Sequence, residues 1–138
     1  MSETKSHFID TNIWLYSLLD TGEVEKTETT QVLIKSSEAV VSVQVISEVC
    51  ANLIKKAKMP EAEIRKFIEG IYARHHVVEL DMRVFLVASE LREEYSLSFW
   101  DSLIVSAAFL AGAEIIYSED MQNGLVIRES LRIINPLK

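Results

Sequence analysis

Apolar residues in this chain fall into two alternating patterns. Short, β-branched runs at 7–9, 39–42, 76–80, 114–117 and 131–134 are each bounded by polar residues, and they predict strands. Between them, longer segments return apolar residues every three or four positions. This spacing predicts helices over 24–36, 43–56, 61–73, 82–95 and 99–111; in the second of these the apolar positions are 45, 46, 49, 50 and 53. Pro60 suits the first turn of the third helix, and Gly112 stops the last. Strands alternating with helices predict an α/β domain with a mainly parallel central sheet. Ligands in such sheets sit beyond the carboxyl ends of the strands, near the reversal of strand order. No linker, repeat or low-complexity tract divides the chain, so residues 1–138 are expected to form one domain.

Composition narrows the class. With 138 residues, 49% apolar and 25% charged, the chain has enough large side chains for a core and too many for a disordered segment. The longest uncharged interior stretch, 102–113, is 12 residues, against the roughly 20 that a spanning helix needs. No apolar core follows a basic start at Met1–Ser6, and Cys50 has no second cysteine to pair with; a cytoplasmic location is expected. The net charge of −7 argues against a protein that coats nucleic acid. The charge is uneven, however. Residues 54–76 hold six cations and three anions, a sum of +3 that leaves −10 for the rest. An acidic centre beside a basic flank suits a metal and a polyanion together. Lysines that merely solvate a helix pair would account for the flank equally well.

Four acids attract attention by position. Asp10 ends the first strand in Phe8-Ile9-Asp10-Thr11-Asn12, where Thr11 or Asn12 can cap a following helix and leave the carboxylate free. Glu48 stands early in the 43–56 helix, roughly 140° from its apolar centre, a direction that ordinarily faces solvent. Asp101 is the only charge between Tyr95 and Ala113, at the start of a helix apolar nearly all round and therefore expected to be buried. Ser98-Phe99-Trp100-Asp101 also has capping-box spacing, which by itself would account for that acid. Asp120, in Ser118-Glu119-Asp120, follows the 114–117 strand as Asp10 follows the first. Four carboxylates gathered in a small space need a counter-cation, and an all-oxygen donor set selects Mg²⁺ or Mn²⁺. No Cys/His cluster, Gly-rich phosphate loop or nucleophile elbow competes. Metal-assisted hydrolysis of a phosphodiester is the natural chemistry for such a set. A metal-dependent phosphatase and a non-catalytic RNA- or protein-binding module are the other classes to weigh.

In this order and spacing, the Phe8–Asn12 segment, Ser47-Glu48-Val49, Trp100-Asp101-Ser102-Leu103-Ile104 and Ser118-Glu119-Asp120 resemble the PIN-domain ribonucleases, in particular the VapC-like toxins of type II toxin–antitoxin pairs. The resemblance implies a three-layer α/β/α sandwich on about five parallel strands. It implies that Asp10, Glu48, Asp101 and Asp120 surround Mg²⁺ or Mn²⁺, supported by Thr11, Asn12 and Ser118, with Glu119 the alternative to Asp120. RNA would be cut by water attack, leaving 5′-phosphate and 3′-hydroxyl ends. A homodimer and a cognate antitoxin are implied as partners. Lys55 and Lys56, in the basic flank, are candidates to guide the RNA.

Overall fold

The computed structural model describes residues 6–36 and 38–138. The first apolar run forms β1 (Ser6–Ile9), whose Phe8 and Ile9 are wholly buried. Burial of side chains this size stabilises by about 2 kcal/mol each, which places the strand in the middle of the sheet rather than at an edge. On one side it pairs in parallel with β2 (Glu38–Ser42), Phe8 opposite Val40; on the other with β4 (Ile115–Tyr117), Phe8 opposite Ile116. β3 (His76–Val78) adds in parallel outside β2, and β6 (Leu131–Ile134) outside β4. The order is β3-β2-β1-β4-β6-β5, with β5 (Val126–Ile127) antiparallel to β6.

The five expected strands are thus all present, and β5 is a sixth. Its two residues carry no readable alternation, and the hairpin onto β6 defines it.

Among the described residues, six helices cover the sheet. α1 (Thr11–Leu18) and α2 (Val24–Ser36) lie in the crossover from β1 to β2. α3 (Val43–Ala57) and α4 (Glu61–Arg74) follow from β2 to β3, a step in the same direction. α5 (Met82–Glu94) and α6 (Phe99–Leu110) carry the chain back past β1 to β4, in the opposite direction. Right-handed crossovers then put the first four helices on one face and the last two on the other, giving a three-layer α/β/α sandwich. Among the described residues no helix is long and apolar enough to cross a membrane.

Two local findings differ from the sequence pattern. The capping residues after β1 point to a helix, but its Thr, Asn, Ile, Trp and Tyr have middling helix propensity, and two turns are too short to form alone. Packing supplies what propensity lacks. Ile13 and Trp14 are buried, and the Trp14 indole N–H donates to the Ile9 carbonyl at 3.0 Å. The cap of this helix is Asp10 itself, neither Thr11 nor Asn12: its Oδ1 accepts from the Thr11 N–H at 2.8 Å, and its carbonyl accepts from Ile13 and Trp14. In α6, residues Ser102 to Ala108 are buried as expected, but Phe99 and Trp100 at its first turn are exposed.

Candidate active site

The chain leaves β1 for one side of the sheet and returns to β4 on the other, so the strand order reverses between these two neighbours. Their carboxyl ends lie side by side, with Asp10 N–H donating to the Tyr117 carbonyl at 3.0 Å. A crevice opens at such a reversal because the two following loops diverge to opposite faces. Asp10 leaves β1 at this point and Ser118-Glu119-Asp120 leaves β4.

The two loops are tied by side chains. Ser118, fully buried, donates from Oγ to Asp10 Oδ2 at 2.8 Å and accepts from the Met121 N–H at 3.2 Å. Asn12 Nδ2 donates to Asp120 Oδ2 at 2.5 Å. From α3, whose first turn is capped by Ser42 at the end of β2, Glu48 reaches toward α1: Thr11 Oγ1 donates to Glu48 Oε2 at 2.5 Å. Glu48 is half-buried here, not the solvated residue that helical projection gives, because α1 packs alongside α3 on that flank. Asp101 comes from the opposite layer. Ser98 Oγ accepts from the Asp101 N–H at 3.1 Å, so half of the capping box is formed. The other half is not: the Asp101 carboxylate makes no hydrogen bond among the described residues, which leaves it uncommitted.

Electrostatics connects the four. Burial pushes the Asp10 carboxyl up from 3.8 to about 6; bonds from Thr11 and Ser118 oppose this, while the charges of Glu48 and Asp101 add to it. Asp120 is raised too, by burial first and then by Glu119 and Asp101. Asp101 therefore acts on both strand-end acids, and Glu48 on Asp10.

Glu119 has other company. Tyr16 OH donates to Glu119 Oε1 at 2.8 Å, and Lys26 Nζ lies 3.5 Å from Oε2 and 4.7 Å from the centre of the Tyr16 ring. Those contacts hold Glu119 toward α1 and α2, whereas its neighbour Asp120 is joined to Asn12. Sequence inspection missed this clamp and missed Gln44, whose Nε2 donates to Glu48 Oε1 at 3.1 Å and to the Trp100 carbonyl at 3.4 Å. Neither has a local sequence signal.

Whether these residues suit a divalent ion can be judged on the donors. All four are carboxylates, the hard oxygen set that Mg²⁺ and Mn²⁺ prefer, and a buried Asp10 with raised affinity for a proton is equally a group that a cation would stabilise. As the side chains lie, no three His, Cys, Asp or Glu among the described residues converge on one point; Asp10 is engaged by Thr11 and Ser118, Glu48 by Thr11 and Gln44, and Asp120 by Asn12. The chemistry fits, and gripping an ion requires some of these neutral donors to be exchanged for it. Lys55 and Lys56 are not part of the cluster. They are exposed near the far end of α3, about 10 to 12 Å along its axis from Glu48.

Ser118 gives a direct test of this reading. Ser118→Ala removes the bond that favours ionised Asp10, so the Asp10 pKa should rise further and Mn²⁺ affinity should fall about 10- to 100-fold, read by calorimetry near pH 7.

The PIN domain family model matches residues 7–122, and the chain belongs to that family. No curated protein matches it by sequence. Among solved structures, a toxin–antitoxin complex from Klebsiella pneumoniae is similar with a TM-score of 0.67 at 15% identity, over 94% of this chain and 97% of that one. VapC20 of Mycobacterium tuberculosis, a sarcin–ricin loop cleaving toxin, gives 0.64 at 18% identity, over 83% and 89%. VapBC2 from Rickettsia felis, bound to a DNA fragment from its promoter, gives 0.64 at 17% identity, over 94% and 99%. At these identities the likeness is one of fold.

Proposed function

We propose that this chain is a one-domain, divalent-metal-dependent endoribonuclease and the toxin of a toxin–antitoxin pair, acting in the cytoplasm as a homodimer and restrained by a cognate antitoxin. The observation that carries the reading is the coupling of Asp10, Glu48, Asp101 and Asp120 at the strand-order reversal of a PIN fold. Toxin status leans on the neighbours, which include toxin–antitoxin complexes and a toxin that cleaves the sarcin–ricin loop.

Bound Mg²⁺ or Mn²⁺ would neutralise charge on the scissile phosphate and acidify a water for in-line attack. The chain's own residues do the positioning. Asp10 comes from the carboxyl end of the central sheet, Asp101 from α6, Glu48 from α3 and Asp120 from the loop after β4. Ser118 and Thr11 fix the orientation of Asp10 and Glu48, and Asn12 fixes that of Asp120. The test is cleavage of single-stranded RNA with Mg²⁺ or Mn²⁺: chelator-sensitive scission into 5′-phosphate products supports the reading. Intact RNA beside turnover of a chromogenic phosphate monoester would replace it with a phosphatase.

Lys55 stands seven residues after Glu48, so two helical turns bring it to the same side of α3, in reach of an RNA backbone crossing the acids. Reversing charge in Lys55→Glu/Lys56→Glu should weaken RNA binding about tenfold at low salt and flatten its salt dependence. Unchanged affinity and slope would remove these lysines from the path.

A further inference from the structure

Beside the acids lies a second concavity of about 550 Å³, lined by Val43, Gln44, Ser47, Glu48, Leu80 and Trp100. It shares Glu48 with the carboxylate cluster, and Trp100 directly precedes Asp101, so the two sites are continuous. Trp100 is 64% exposed, unusual for the largest apolar side chain on the first turn of an otherwise buried helix. Its ring is nevertheless held in place. Phe99 packs against it edge-to-face with centroids 5.2 Å apart, and Arg92 sits over the Phe99 ring. The Trp100 carbonyl accepts from Gln44 Nε2, which also donates to Glu48. Gln44 is 7% exposed, and its Oε1 is a buried acceptor with no partner among the described residues.

An exposed, oriented indole beside apolar Val43 and Leu80 offers a flat π-face with an aliphatic wall. That is the chemistry that takes an unpaired nucleobase, whose stacking on an aromatic side chain is tolerant of sequence. Gln44 adds a polar group at the floor and links the pocket to Glu48.

We propose that Trp100, with Val43, Leu80 and Gln44, forms a nucleobase subsite that stacks one unpaired base of the RNA next to the phosphate held at the acids. This rests on the ribonuclease reading and extends it: the substrate must present a single-stranded base at that step, and Trp100 acts on positioning rather than on bond cleavage. Continuity with the acidic crevice favours a base over a second copy of the chain pressed on the same surface.

The test uses the two tryptophans. Trp14 is buried and Trp100 exposed, so a short oligoadenylate titrated into the metal-free protein should quench the fluorescence of Trp100. Trp100→Phe should lose the quench, and Trp100→Ala should raise KM about tenfold with kcat little changed. One abasic position in the RNA should cost the wild type about the same and cost Trp100→Ala nothing further. Cleavage by the wild type with no quench, and an unchanged KM in Trp100→Ala, would overturn the subsite and leave the nuclease standing. A Trp100→Ala protein that changes oligomeric state, with a defect indifferent to the abasic position, would give the surface to a second copy instead. RNA left intact by the wild type in both Mg²⁺ and Mn²⁺ would end the ribonuclease reading and the subsite with it.

Discussion

Asp101→Asn is expected to lower RNA cleavage by about a thousandfold or more while leaving the melting temperature within a few degrees of wild type. The size follows from the several kcal/mol that a metal-held phosphate contributes to the transition state, at 1.36 kcal/mol per decade. Folding should be spared because the Asp101 carboxylate makes no hydrogen bond among the described residues; the cap of α6 rests on its backbone N–H and Ser98, which the substitution keeps. Paired measurement of cleavage and thermal unfolding checks both halves. Chelator-sensitive cleavage within tenfold of wild type would show that Asp101 is no more than a helix-start residue.

Asp10→Asn should also abolish cleavage but, unlike Asp101→Asn, should raise stability in chelator. Asp10 has a folded pKa of about 6 against 3.8 when free, so between those values the folded state holds a proton that the unfolded chain has released. Its contribution to stability is therefore complete below the lower value and is lost as pH rises through 6. At pH 8 the ionised, buried carboxylate costs up to about 3 kcal/mol, from the shift at 1.36 kcal/mol per unit. Asn keeps an acceptor for the Thr11 N–H and carries no charge. In EDTA at pH 8 the variant should melt several degrees above wild type, and the gap should close as pH falls toward 4. Mn²⁺ at a thousand times its Kd should reverse the order, since an ion bound only by the folded wild type then adds about 4.1 kcal/mol. A variant less stable than wild type at pH 8 in EDTA would mean that the bonds from Ser118 and Thr11 outweigh the burial of charge.

The alternation of elements was legible because each strand is short, β-branched and bounded by polar residues, as in Ala39-Val40-Val41. The strand-end position of Asp10 and Asp120 was legible for the same reason: an apolar run breaks directly into acids. α1 was hidden by residues of middling propensity that tertiary packing of Trp14 overrides, and β5 by its length. Glu48 shows the limit of angular projection. Counted from Leu53 it faces away from the sheet, yet α1 occupies that flank and turns a nominally solvated acid into one bonded by Thr11. The link from Gln44 to Trp100 spans 56 positions, and that from Tyr16 to Glu119 spans 103; side-chain bonds at such separations leave no trace in local pattern.

In the proposed nuclease, acids delivered by β1, α3, α6 and β4 hold one hard dication between them. Calorimetric titration of the wild type and Asp101→Asn with Mn²⁺ at pH 7 tests this. Saturable binding near one ion per chain is expected in the wild type, and its disappearance in the variant. Absence of saturable binding in the wild type, or identical isotherms for the two proteins, would contradict it and leave the fold as a non-catalytic binding module.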